Sequence, residues 1–138
     1  MSMLQPLEEL ERFYESDDPW GYESSPEDMR RREILLSEIP ARDYARVLDM
    51  GCGHGFVTPG LPGGDVLGGD GSERAFAQAQ RVARPGLRFR QSSLFGLPAL
   101  GKPPFDLIVI TGVLYPQYIG ASAPLVTRLF DRMLAADG

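Results

Sequence analysis

Apolar residues follow two rhythms along the chain. Over the first 45 positions they recur at helical spacing, and from residue 46 they gather into short β-rich runs separated by helical stripes. Leu4, Leu7, Leu10 and Tyr14 predict a short amphipathic helix over residues 4 to 14, lying across another part of the molecule as a cover. A turn-rich stretch, DDPWGYESS, follows and holds the only tryptophan, Trp20. Ser25-Pro26-Glu27-Asp28 then combines an N-cap, a proline at the first helical position and an acid at the third, which predicts a helix over 26 to 39. Four strands are predicted next: RVLDM (46 to 50), DVLGGD (65 to 70), LRFRQ (87 to 91) and FDLIVITG (105 to 112). Between the second and third, Ser72 caps a helix with a stripe of Ala75, Phe76, Ala79, Val82 and Ala83. After the fourth, Leu125, Val126, Leu129, Phe130, Met133 and Leu134 repeat the pattern. Strands alternating with helices define an α/β fold, a doubly wound Rossmann-like parallel sheet. Residues 1–45 are expected to cover a core at 46–138, the two together forming one domain.

The strongest chemical signal is the run from Val47 to Gly55, a predicted strand entering a glycine-rich turn that is expected to open a helix. In a doubly wound sheet the crevice at the carboxyl ends of the strands receives ligands, and glycines there let the backbone approach a bound group. The spacing is G-x-G-x-G at Gly51, Gly53 and Gly55, whereas the dinucleotide fingerprint needs a small residue where this chain has Phe56. NAD is therefore disfavoured. Asp70 stands 21 positions after Asp49, at the end of the second strand, where an acid accepts hydrogen bonds from the ribose hydroxyls of an adenosine ligand. The alternative for Asp70 is a turn or capping aspartate. Asp49 is expected to be buried and to bond neighbouring backbone N–H groups, holding the turn in shape.

Composition narrows the field. A chain of 138 residues with a net charge of −5 fits one domain, able to bury roughly two thirds of its unfolded surface. Its acidity argues against nucleic acid as a partner, since backbone binding draws on clustered Lys and Arg. The cluster Arg30 to Arg32 reads as a solvated helix face, with a local anion site as the alternative. A single cysteine, Cys52, has no partner in the chain and cannot belong to a multi-cysteine zinc site, which points to a reducing, cytoplasmic setting. The acidic first 18 residues lack the basic and apolar order of a secretory leader, and no window approaches the roughly 20 apolar residues that span a bilayer.

The motifs V-L-D-x-G-C-G-x-G at 47–55, V-x-G-x-D-x-S at 66–72, and F-D-L-I-V followed by V-L-Y resemble those of the class I S-adenosylmethionine-dependent methyltransferases over about residues 46 to 118. The upstream DPWGYESS, a helix and Ile39-Pro40 further resemble the small methyltransferases related to nodulation protein S. The resemblance implies S-adenosyl-L-methionine as cofactor and a small molecule as methyl acceptor, with a non-catalytic nucleoside-binding remnant as the alternative. It implies that Gly51, Cys52, Gly53 and Gly55 line the methionine and ribose portion, with Asp49 behind them, and that Asp70 holds the ribose. Gly71 and Ser72 would flank the adenine, and Ser92, Ser93 and Leu94 would bracket it, with serine where the family more often carries an acid. Thr111 and Gly112 would offer carbonyls to the methionine ammonium. Its carboxylate would meet Tyr22 first, or else the N–H groups near His54, Arg30 or Arg31. Methyl transfer needs positioning above all, so no catalytic residue is assigned. His54 is expected at the methionine end or the surface, and Tyr115 and Tyr118 as acceptor contacts or packing. Seven strands are implied where four are present, so the fold is expected to be truncated after the fourth strand and its helix. An exposed strand edge would then be open to homodimer formation.

Overall fold

In the computed structural model, residues 6–16, 18–19, 21–93, 104–111 and 120–138 are described. The short runs rich in Val, Leu and Ile form four strands, β1 (Arg46–Met50), β2 (Asp65–Asp70), β3 (Leu87–Gln91) and β4 (Leu107–Ile110). All pair in parallel in the order β3-β2-β1-β4. Met50 lies beside Gly69 on one side and Ile110 on the other, and Asp70 lies beside Gln91, so the carboxyl ends of all four strands share one edge. The chain winds from β1 toward β3 and then returns to place β4 on the opposite flank. That reversal makes the β1–β4 boundary a topological switch point.

Both faces are covered at β1, β2 and β4, which read as nearly continuous apolar runs, whereas edge strand β3 alternates buried Leu87 and Phe89 with exposed Arg88 and Arg90. Alternation in β1 sends Val47 to one face and Leu48 to the other, and both are fully buried. On the Leu48 side, Met50, Leu67 and Phe105 pack against Val126, Phe130 and Met133 of the last helix, α4 (Ala123–Met133), counting α1 as Leu7–Phe13, α2 as Pro26–Glu38 and α3 as Glu73–Ala79. On the Val47 side, Val66, Leu87, Phe89 and Val109 meet Ala79 of α3, Leu35 and Leu36 of α2, and Ile39 at the end of α2. The Ser25 hydroxyl accepts from the Asp28 amide at 3.2 Å and the Ser72 hydroxyl from the Ala75 amide at 3.0 Å, so both N-caps lie where the local sequence puts them.

Four elements depart from expectation. The glycine turn does not open an α-helix: between β1 and β2 the chain holds turns and one 3-10 turn, Thr58–Gly60. Pro59 and Pro62 lack the N–H that a helix needs, and Gly60, Gly63 and Gly64 favour other conformations. Leu36 of α2 fits closely against this segment, its Cδ1 lying 2.7 Å from where a Cβ on Gly60 would be. β4 is shorter than the predicted 105 to 112, because Phe105 pairs with the chain beyond α4. Its amide donates to the Met133 carbonyl at 2.7 Å, and its carbonyl accepts from the Ala135 amide at 2.8 Å. This pairing takes the outer edge of the sheet at Phe105, while 107–110 have no strand on that side among the described residues. α1 is likewise shorter than predicted, Leu7 is exposed, and the residue it buries is Tyr14, just past its end. Finally, the α3 stripe holds only to Ala79. The backbone then tightens into a 3-10 turn, Gln80–Val82, which leaves Val82 and Ala83 outside the core.

Of the arginine cluster, Arg30 and Arg31 are exposed, and Arg31 pairs with Glu27 and Asp28. Arg32 instead donates to the Phe56 carbonyl at 3.3 Å and lies over the Phe56 ring, 4.7 Å from its centroid. No helix among the described residues is long and apolar enough to cross a membrane.

Candidate functional site

At the end of β1 the chain hooks back onto β2. The Gly51 and Cys52 amides both donate to the Gly69 carbonyl, at 2.7 and 3.0 Å, and the Gly55 amide donates to the Cys52 carbonyl at 3.0 Å. The hook requires left-handed backbone at all three glycines, with φ of 79° at Gly51, 55° at Gly53 and 88° at Gly55, so the G-x-G-x-G spacing is a conformational demand. Asp70 straps the turn to the neighbouring strand end. Its Oδ2 accepts from the Gly53 amide and its Oδ1 from the Ser72 amide, each at 2.9 Å. The turn and α3 are thereby tied together through one buried carboxylate. Burial pushes the Asp70 carboxyl above its ordinary range; the Ser72 and Gly53 amides work against the rise, and the Glu11 charge adds to it.

Asp49 lies one residue from the hook and is fully buried. Its expected backbone partners are replaced by a side chain: Oδ2 accepts from the Thr58 hydroxyl at 2.8 Å, and Oδ1 has no partner. Burial raises its carboxyl from 3.8 to about 6, against the Thr58 hydrogen bond and with help from the Asp70 charge. The Cys52 thiol is also pushed well up by burial, with the Asp49 and Asp70 charges adding to the rise. Its sulfur packs beside Gly68, where a Cβ would lie 2.6 Å from the Phe89 ring and 3.1 Å from the sulfur. The space left by the missing side chain at Gly55 is likewise filled by protein: a Cβ there would lie 3.0 Å from Val82 and 3.3 Å from Phe89. Gly55 thus permits the close packing that a dinucleotide site assigns to its third glycine.

The neighbouring strand ends and the N-terminal segment carry further predicted residues. Gly71 faces Ser93, whose Cα lies 4.0 Å from a Cβ placed on Gly71, and the Ser92 amide donates to the Asp70 carbonyl at 2.7 Å. The segments at 70–72 and 92–93 therefore lie against each other at the carboxyl ends of β2 and β3. Ser72 is fully buried, its hydroxyl committed to the α3 cap. Thr111 follows β4 and is exposed. The Tyr22 ring stacks on Phe56 at 5.2 Å and faces His54 at 6.4 Å. Leu94, Gly112, Trp20, Tyr115 and Tyr118 lie outside the described residues.

Tyr14 and its supports had no place among the expected site residues. Tyr14 is 5% exposed, and its hydroxyl reaches the glycine turn, where a Cβ on Gly53 would lie 2.8 Å from it. The segment around it is anchored to α3. Glu11 accepts from the Glu73 and Arg74 amides at 2.6 and 3.3 Å, Arg74 donates to the Glu11 carbonyl at 3.0 Å, and Gln78 donates to the Tyr14 and Ser16 carbonyls, each at 2.9 Å. These contacts join positions about sixty residues apart, and periodicity carries no trace of them.

A parallel sheet wound in this order, with a glycine hook and a strapped acid at the switch-point edge, defines a Rossmann-like fold of the class I methyltransferase type. The chain belongs to the methyltransferase domain family, whose model matches residues 47–138. It is 38% identical over 108 residues to trans-aconitate 2-methyltransferase of Methylobacterium nodulans, covering 75% of this chain and 40% of the relative. The enzyme of that name from Deinococcus radiodurans is 35% identical over 103 residues, covering 72% of this chain and 38% of the relative. The chain thus spans about 40% of the length of these curated relatives. Among solved structures, the N-methyltransferase NodS from Bradyrhizobium japonicum WM9, in complex with S-adenosyl-L-homocysteine, superposes with a TM-score of 0.76 at 24% identity, covering 94% of this chain and 67% of that one.

Proposed function

We propose that this chain carries the S-adenosylmethionine-binding part of a methyltransferase that acts on a small-molecule acceptor in the cytoplasm. The observation that carries the proposal is the strap between the Gly53 amide and Asp70, which fixes the glycine turn beside a buried acid at the switch point. The residues suit the cofactor chemically. It carries no phosphate, and the described turn presents no lysine or arginine cradle. Each Asp70 oxygen takes one amide and keeps a lone pair for a ribose hydroxyl. The unpartnered Oδ1 of Asp49 is a buried acceptor that a cationic amino acid group would satisfy, alongside the carbonyls of Thr111 and Gly112. Gly71, Ser93 and Leu94 would border the adenine, with Ser72 buried behind them as the α3 cap, and Gly51, Cys52 and Gly53 the methionine portion. Tyr22 would approach the cofactor carboxylate.

When bound, the cofactor supplies a methyl group on a sulfonium. This chain's own residues bind and orient, and the main gain comes from placing the acceptor in line with that methyl group. The reading as a non-catalytic remnant gains no support from the comparisons. A second copy of the chain would pair at the open part of the β4 edge. Calorimetry with S-adenosylmethionine, S-adenosylhomocysteine and NAD tests the assignment. Binding of the first two is expected, and binding of NAD alone overturns it. In the same titration Asp70→Ala is expected to weaken cofactor binding by about 1 to 3 kcal/mol.

A further inference from the structure

The proposed function leaves Tyr14 and the residues that hold it unused. At two glycines around the hook, the space of the missing side chain is taken by apolar groups: Val82 and Phe89 at Gly55, and the Phe89 ring and Cys52 sulfur at Gly68. Gly53 differs. The atom nearest its absent Cβ is the Tyr14 hydroxyl oxygen at 2.8 Å, with the closest ring carbon 3.8 Å away. Packing alone would be served there by hydrocarbon. A hydroxyl brings one donor and two acceptor lone pairs, more than a single protein partner uses. It stands beside the residue whose amide Asp70 straps, at the carboxyl edge of the sheet. The position of Tyr14 is set from α3. The Glu11 carboxylate accepts from the Glu73 and Arg74 amides, and Arg74 pairs with Glu15 at 3.1 Å. The Gln78 side-chain nitrogen donates to the Tyr14 and Ser16 carbonyls. Those two bonds orient its amide and leave Oε1 buried with no partner. An orphaned oxygen is a cost, borne here to fix the backbone on either side of Glu15. Because α3 starts directly after Asp70–Ser72, the same strand end that straps Gly53 also locates Tyr14.

We propose that Tyr14 is a further cofactor-binding residue, its hydroxyl bonding the amino-acid arm of S-adenosylmethionine beside Gly53, and that Gln78 is a positioning residue that acts through it. The inference rests on the methyltransferase reading, in which that arm runs along Gly51, Cys52 and Gly53. A hydroxyl serves either end of the arm, donating to its carboxylate or accepting from its ammonium. The ring carries the hydroxyl to the turn, and the Gln78 amide fixes the backbone from which the ring projects. Loss of the hydroxyl therefore removes one bond to the arm, and loss of the Gln78 amide blurs the placement of that bond.

Calorimetry with two ligands tests it: S-adenosylhomocysteine, and methylthioadenosine, which keeps the nucleoside and the sulfur but lacks the amino-acid arm. Tyr14→Phe retains the ring and its packing. It should weaken S-adenosylhomocysteine about five- to twentyfold and leave methylthioadenosine within about twofold of wild type. Gln78→Ala should weaken S-adenosylhomocysteine about three- to tenfold alone, and by less than about twofold when Tyr14→Phe is already present. A purely structural tyrosine would lower both ligands alike, and that result overturns the proposal, as does unchanged affinity for S-adenosylhomocysteine in Tyr14→Phe. Additive losses in the double variant overturn the role of Gln78. A wild-type chain that binds neither ligand removes the methyltransferase reading and this inference with it, whereas wild-type binding that Tyr14→Phe does not alter removes the inference alone.

Discussion

Asp49→Asn isolates the energetic cost of placing an acid beneath the glycine hook. The wild-type carboxyl is fully buried, with one hydrogen bond from Thr58 and a titration point raised from 3.8 to about 6. The folded chain therefore holds the Asp49 proton more tightly than the unfolded chain does. Stability contributed by this group is greatest at low pH, falls as pH rises between the two values, and levels off above the folded one. The full penalty at alkaline pH is about 3 kcal/mol, of which about 2 kcal/mol develops between roughly pH 4.5 and 7.5. Asparagine retains an oxygen for the Thr58 hydroxyl and carries no charge, so its stability lacks this component. The assay is urea unfolding of both chains across that range, comparing their difference at each pH so that contributions shared by other acids cancel. The difference should move in favour of Asp49→Asn by about 2 kcal/mol as pH rises. A difference that stays flat would mean that Asp49 is solvated or paired, and the account of the hook would fail with it.

Three further outcomes follow from the packing. Gly53→Ala should lower stability by about 1 to 2 kcal/mol through its left-handed backbone, and part of that loss should disappear in a Tyr14→Phe background, which removes the oxygen facing the new methyl group; a double-mutant thermal unfolding cycle reads the coupling. Gly68→Ala would place a methyl group 2.6 Å from the Phe89 ring. It should cost about 1 to 3 kcal/mol, reduced when Phe89→Leu makes room. Ser25→Ala should cost about 1 kcal/mol by uncapping α2, visible as a lower urea midpoint with unchanged slope.

What could be read in advance was local. β1, β2 and β3 match their predicted boundaries because β1 and β2 are largely apolar runs closed by a glycine turn and β3 alternates buried Leu87 and Phe89 with exposed arginines, and Ser25 and Ser72 cap helices with partners three residues away. The glycine turn and Asp70 were likewise visible as a pair. The helix expected after the turn was wrong although Pro59, Gly60, Pro62, Gly63 and Gly64 stood in view; a general plan for such folds outweighed the residues themselves. Phe105 left the strand for Leu134, a pairing that no window around Phe105 contains. Tyr14 and Glu11 reach the site from the N-terminal segment, and only the assembled fold shows which distant partners they meet.

Because no crossover helix follows β1, α2 supplies the layer that shields Val47, Leu61 and Val66. Residues upstream of the family match are thus structural insulation as well as potential gatekeepers of the cleft. A dissection that began at residue 47 would strip Leu35, Leu36 and Ile39 from the Val47 side of the sheet, leaving α3 as its remaining helical cover. The shortened polypeptide would meet water with bare aliphatic surface, so any loss of activity it showed would report collapse or clumping before it reported anything about cofactor chemistry.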